Sequence, residues 1–332
     1  HSNDIAFTVP PADLFFVQKY HTFYAGTEVS WDVDLFHDRA KRAELRFFWK
    51  LRKDDGRVLR QGGRTYGPQA FFSARETIRL TIPEEGRYVL EAGLENGPTD
   101  KLELTSVARV PVSVPKNLIP ASADLNARKE ELLKRAAAGE TILIDVRKDY
   151  PAWLPGSPSL TARNNSVNFS FRPDHPVLKG LTEHDLSFWY PDHITAAGYF
   201  SKPALGNVRT IVECGGPQGL LYSALMEAPW GKGCFLYNRL ILKPEINPVA
   251  AKLLENMAAY RAPGFRKAGV VAPAESKLAR YLKKYGVKAE QAPFGKLGSF
   301  EVLLVDGSVK YTPEQMAELN AFKGRMLVQD PS

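Results

Sequence analysis

The sequence is poor in cysteine, and its only two thiols, Cys214 and Cys234, are too few for a disulfide scaffold or a four-cysteine zinc site. The two could be neighbours in one sheet, with a bridge as the alternative to the expected pair of buried free thiols. No apolar run approaches the length that crosses a bilayer, and no signal peptide is visible. There is no initiator Met, so residues 1–3 of HSNDIAF read as a vector scar or a processed end. The C-terminus stops in RMLVQDPS, where a strand would feed further structure, and the whole is expected to be a fragment of a larger polypeptide. Histidine is absent after His193. No P-loop or dinucleotide fingerprint occurs, which leaves phosphate binding without support. The net charge of +7 is spread through pieces such as RAKRAELR and YLKKYGVK rather than gathered into a stripe. No nucleic-acid partner and no membrane partner are therefore expected. An anionic polysaccharide is the charged partner that remains open.

What is present begins with strands. EVSWDVDLF alternates Val29, Trp31, Val33 and Leu35 on one face. AELRFFWKLRKDDGRVLRQG reads as two runs joined by the hairpin signal DDG. ETIRLTIPEEGRYVLEAGLENG repeats the pattern with EEG and ENG as turns, and LELTSVARVPVSV supplies a last strand. Short strands at regular spacing predict an all-β sandwich of immunoglobulin type over 1–115. Without a cysteine pair across its sheets it is not an antibody-like domain.

After the linker Pro111–Asp124 the period changes. Leu125, Leu132, Leu133 and Ala136 fall on a helical spacing, with Asp124 to cap it and Gly139 to end it. TILIDV then reads as a strand buried on both faces, and helix followed by buried strand predicts an α/β domain over 116–262. Residues 264–332 restart the pattern as strand, helix, strand, helix, strand, with Thr312 and Pro313 opening the second helix. Residues 263–332 are thus expected to be a second, partial α/β unit with parallel strands.

The chemical candidates are few. In TIVECGGPQG, a nucleophilic Cys214 would need a strand-to-helix elbow with small residues on both sides and a histidine base. Gly216 satisfies the downstream position, Val212 fails the upstream one, and LLYSALMEA reads as a strand. His175, His184 and His193 are spaced nine apart beside Asp174, Asp185 and Asp192, which matches neither a helical nor a strand ligand pair, so no metal is expected. No eightfold β/α pattern offers a barrel for a glycosidase carboxylate pair. Trp153, Trp189, Tyr190 and Trp230 could stack on sugar rings. As plain structure they would seal a core or a domain joint.

HPVLKGLTEHDLSFWYPDH, GNVRTIVECGGPQGL, APWGKGCFLYNRLIL and NPVAAKLLENMAAY resemble the noncatalytic class I glutamine-amidotransferase-like domain of large bacterial family 2 glycoside hydrolases and their β-galactosidase-like relatives. TFYAGTEVSWDVDLFHDRAKRAELRFFWKL and GRYVLEAGLENG resemble the immunoglobulin-like sandwich that precedes it there, and ESKLARYLKKYGV with FEVLLVDG the opening of a further such domain. The resemblance implies a multidomain chain: a sandwich, a flavodoxin-like (amidotransferase-like) domain and a partial α/β unit. It implies an accessory region without catalytic residues or cofactor, lying behind a catalytic barrel of the same polypeptide that cleaves β-glycosides in the periplasm or outside the cell. The competing expectations are a carbohydrate-binding module using Trp153, Trp189, Tyr190 and Trp230, and a thiol-dependent amidotransferase or hydrolase built on Cys214.

Overall fold

The computed structural model describes residues 12–38, 43–111, 114–120, 122–145, 150–161, 164–203, 207–216, 219–263, 267–284, 287 and 289–329. Residues 1–3, Pro217 and Gln218 of GGPQG, and parts of the 111–124 stretch lie outside the described residues.

Two antiparallel sheets open the chain. One orders β1 (Ala12–Phe16), β3 (Glu28–His37) and β6 (Phe72–Thr81) as β1-β3-β6. The other runs β2-β8-β7-β4-β5, from β2 (Thr22–Tyr24), β4 (Ala43–Lys53), β5 (Val58–Gln69), β7 (Gly86–Leu94) and β8 (Thr99–Val107). Within it only β2 and β8 run parallel. Alternation decides which residues fill the gap. Val29, Trp31, Val33 and Leu35 of β3 are all buried and pack with Phe47, Leu51, Leu90 and Leu104 of the facing sheet. DDG is a hairpin turn between β4 and β5, with Gly56 at φ +84°. The run joined by EEG is not a hairpin: β6 pairs with β3 and β7 with β4, so the chain changes sheets there.

A mixed sheet follows. β9 (Leu118–Ile119), β10 (Thr141–Ile144) and β16 (Gly233–Asn238) are parallel. β11 (Ser159–Thr161), β12 (Asn168–Phe169), β13 (Tyr199–Ser201), β14 (Arg209–Gly216) and β15 (Gly219–Trp230) join antiparallel. Antiparallel pairing runs over β11–β16, and the turn PWGKG joins β15 to β16 as a hairpin. α1 (Lys129–Ala137) covers one face with Leu132 and Ala136, and α2 (Pro248–Ala259) covers the other with Val249, Leu253, Leu254 and Met257. α1 starts later than the spacing predicted, because the Asp124 carboxylate accepts from the backbone of Asn126 and Ala127 in a local turn. α2 begins where it should: Asn247 caps the amides of Val249 and Ala250. The turn from β15 to β16 closes directly onto the end of α1. A Cβ on Gly231 would meet Ala137 Cα at 2.5 Å, and one on Gly233 would meet the Glu140 carbonyl at 2.2 Å.

The last unit is a parallel sheet in the order β18-β17-β19-β20, from β17 (Ala268–Val271), β18 (Glu290–Gln291), β19 (Val302–Asp306) and β20 (Arg325–Gln329). α3 (Lys277–Lys284) and α4 (Pro313–Ala321) connect its strands, and Thr312 and Gln315 form a capping box at α4. Leu278 of α3 is buried, but Tyr281, expected inward, is exposed; Tyr285 lies outside the described residues. β20 exposes Leu327 and Val328 and has a neighbour on one side only among the described residues. No helix among the described residues is long and apolar enough to cross a membrane.

Candidate functional site

Three places in the mixed-sheet unit gather groups that could carry function. The first is Cys214. It lies inside β14, opposite Asn168 of β12 and Tyr222 of β15, and is completely buried. Burial pushes its thiol up to about 12, with Lys202 and Asn165 opposing and Glu213 assisting. Glu213, its neighbour in the strand, is held by Lys202 and by the Thr210 hydroxyl at 2.6 Å. The chain continues into β15, so there is no elbow at which a thiolate could face a substrate.

Cys234 is equally buried, its Sγ 3.7 Å from Thr141 Oγ1, and burial again raises it to about 12. Both cysteines are free. They are not sheet neighbours. β14 and β16 lie on opposite edges of β15, and the rise from Tyr222 (opposite Cys214) to Pro229 (opposite Cys234) is about 23 Å. A bridge is therefore excluded in this fold. A thiol reagent at neutral pH should find no fast-reacting group in the native protein and two after denaturation. One equivalent of rapid native labelling would contradict the burial of these strands.

The second place is Glu227 on β15, only 1% exposed. It accepts from the Tyr260 hydroxyl at 2.8 Å and lies 3.7 Å from His175 Nε2 and 3.8 Å from an Arg209 guanidinium nitrogen. Burial alone would raise its pKa. The nearby His175 ring, the Tyr260 hydrogen bond and the Arg209 charge outweigh that and hold the carboxylate below its usual value. The group ties β14, β15, the end of α2 and the short 3-10 turn Pro176–Leu178 into one polar lock. Among the described residues no group of three or more His, Cys, Asp or Glu side chains could hold a metal ion.

The third place is the seam with the sandwich, made by the irregular segment 182–193. Phe188 and His193 adopt left-handed φ of +53° and +67° on either side of the Trp189–Asp192 turn, a conformation costly for non-glycine residues. Trp189 is 3% exposed in the α2-side core and donates from its indole N–H to the Asp185 carbonyl at 2.7 Å. Tyr190 faces the other way and packs onto the sandwich core, its ring edge-on to Tyr20 at 5.3 Å. The His21 and His184 rings stack at 3.6 Å between centroids, and the Lys19 N–H donates to His193 Nε2 at 3.0 Å. Further along, the Tyr24 hydroxyl donates to the Pro244 carbonyl at 2.6 Å, and the Arg109 guanidinium covers the Tyr24 ring while donating to the Glu245 carbonyl at 2.6 Å. Beside the turn lies a small depression against Ile241, Lys243 and Asn247.

The four aromatics proposed from sequence do not share a platform. Trp153 and Trp230 are half-buried against the α1-side core, and Trp153 donates to Asn126 Oδ1 at 3.0 Å. Trp189 belongs to the α2-side core, where it is 3% exposed. Tyr190 is engaged by the sandwich. Sequence reasoning missed the seam histidines because it sought ligand spacing along the chain. The partners His21 and Lys19 lie in another sheet unit altogether.

No family model matches the chain. No curated protein matches it either. Solved structures give partial likenesses. The β-glucosidase from Listeria innocua is 14% identical, with a TM-score of 0.26 over 29% of this chain and 16% of its own. The CARDB domain of PF1109 from Pyrococcus furiosus is 13% identical, with a TM-score of 0.24 over 30% of this chain and 95% of its own. The sporulation control protein Spo0M from Bacillus subtilis is 14% identical, with a TM-score of 0.25 over 30% of this chain and 51% of its own. The overlap thus spans about one sixth of the β-glucosidase's length. These likenesses to a glycosidase and to a CARDB domain are weak, and none carries a functional argument.

Proposed function

We propose that this chain is a noncatalytic accessory region of a large carbohydrate-active enzyme of the family 2, β-galactosidase-like kind. In this reading 1–115 is an immunoglobulin-like sandwich, 116–262 a flavodoxin-like (amidotransferase-like) domain without its chemistry, and 263–332 a partial α/β unit. The catalytic barrel would lie upstream in the same polypeptide, and the enzyme would act in the periplasm or outside the cell. The observation that supports a silent amidotransferase-like domain is the setting of Cys214: mid-strand, completely buried, its proton held by burial. The seam supports a joining role, since Tyr190, His184 and His193 are spent on contacts with the sandwich. The carbohydrate assignment rests on the resemblance of the quoted segments.

Two measurements test it. The isolated chain should leave chromogenic β-galactoside, β-glucoside and β-glucuronide substrates intact; turnover that scales with the protein through further purification would overturn the reading. The gene that carries this chain should encode a (β/α)₈ region upstream, and a gene without one removes the proposed parent. The binding-module alternative keeps Trp153 and Trp230, which reach the same core from its rim. It forecasts oligosaccharide binding by this chain that Trp153→Ala or Trp230→Ala abolishes.

A further inference from the structure

We propose that the seam between the sandwich and the mixed sheet is an acid-sensitive joint, in which protonation of His21 and His193 opens the contact between 17–24 and 182–195. The inference goes beyond the accessory role and does not depend on the parent enzyme.

The hydrogen bonding requires His193 to be neutral, and burial disfavours a charge on His21. His193 Nε2 accepts the Lys19 backbone N–H at 3.0 Å, so it must carry a lone pair. A proton there replaces the acceptor with a donor facing a donor. His21 is 4% exposed and lies flat on His184. Its Nδ1 is 3.4 Å from the Lys19 carbonyl, the partner of an Nδ1–H tautomer. Its Nε2 is buried without a hydrogen-bond partner among the described residues, 3.9 Å from Asp185 Oδ1. Charging this ring buries a cation against a second imidazole.

The surrounding groups come from both sides. The sandwich presents Tyr20 and Lys19, and the Lys19 ammonium is paired with Asp100 at 3.2 Å. The facing segment presents His184, Asp185, Tyr190 and Asp192. Asp185 and Asp192 favour the protonated rings. Burial, with His184 acting on His21 and Lys19 on His193, outweighs them, so both imidazoles sit below their usual value, His21 at about 4.

The sign follows. A histidine whose pKa is depressed in the closed seam binds fewer protons there than in the open one, so acid favours opening. The closed seam is fully favoured above an ordinary imidazole value of about 6.5 and loses ground as pH falls below it. For His21 that loss continues down to about 4. Between neutral pH and pH 5, His21 alone should raise the open population about 20-fold. His193 adds to it in the same direction. The Tyr24 and Arg109 contacts to the Pro244 and Glu245 carbonyls lie outside the histidine cluster and keep the units tethered.

Hydrogen exchange corrected for the intrinsic pH effect tests the joint. Peptides covering 17–24 and 182–195 should lose protection at least tenfold between pH 7.5 and 5, while β7 and β16 keep theirs. The variant His21→Phe/His193→Gln retains a ring for His184 and an acceptor for Lys19 but cannot titrate. Its seam peptides should show a flat profile, with melting at pH 7.5 unchanged. A flat wild-type profile, or a double variant that loses protection as the wild type does, overturns the proposal. Imidazole titration by NMR on the wild type gives a check that needs no variant: either ring titrating at or above 6.5 also overturns it.

Discussion

Trp189→Ala should destabilise the mixed-sheet unit by about 3–5 kcal/mol, the range for removing a buried tryptophan and leaving a cavity behind. The indole is enclosed by the α2-side core, whose members include Leu186, Val212, Leu225 and Leu240. Its N–H satisfies the Asp185 carbonyl, so truncation also leaves that oxygen without its donor. The turn that follows is held in unfavourable backbone geometry at Phe188 and His193, and the tryptophan anchors it. For a unit of this size the midpoint should fall by roughly 8–15 °C. Calorimetry on the variant reads it directly. Near-normal melting together with lost oligosaccharide affinity would mean that the ring serves a ligand and not the core.

The companion result concerns Trp31, which is fully enclosed at the centre of the sandwich against Tyr20 and Phe23. Trp31→Ala should also cost about 3–5 kcal/mol, but in the sandwich. Its N–H donates to the Tyr20 carbonyl at 3.2 Å, and the Tyr20 ring contacts Tyr190 and His193. Loosening Tyr20 should therefore deprotect the seam as well. Trp31→Phe, which keeps most of the volume, should recover the larger part of the loss. Hydrogen exchange locates the damage: β3 and β7 should lose protection in Trp31→Ala while β10 and β16 hold. Equal loss in both sets of strands would mean that the two cores melt as one unit.

Much of the local structure was legible because its cause is local. The alternation in EVSWDVDLF specifies which side of β3 is wet, and Val29, Trp31, Val33 and Leu35 are buried as that period demands. Thr312 marks a helix start because a capping oxygen needs only its own next few amides. The pairing of β6 with β3 rather than β7 was not legible, since a turn signal such as EEG fixes a reversal and not the sheet that receives it. The pairing of β11, β12 and β13 was hidden for a related reason, while the turn PWGKG between two strand-like runs marks the β15–β16 hairpin. Continuous apolar runs mark burial on both faces but carry no strand direction. The setting of Cys214 was legible from the strand that follows it. The seam was not, because the meeting of His21 with His184 is a long-range contact with no spacing to read.

β20 has a consequence for the colloidal behaviour of this protein. It presents Leu327, 62% exposed, on one face and Val328, 58% exposed, on the other, beside a row of backbone donors and acceptors with no neighbouring strand among the described residues. Such an edge is a template for another copy of itself. Mutual repulsion from the net charge of +7 opposes that association. That repulsion reaches about 30 Å in dilute buffer and only about 8 Å at physiological ionic strength. Added salt therefore lowers the barrier to edge-on association while leaving the apolar attraction intact, and the protein is best kept soluble at low ionic strength.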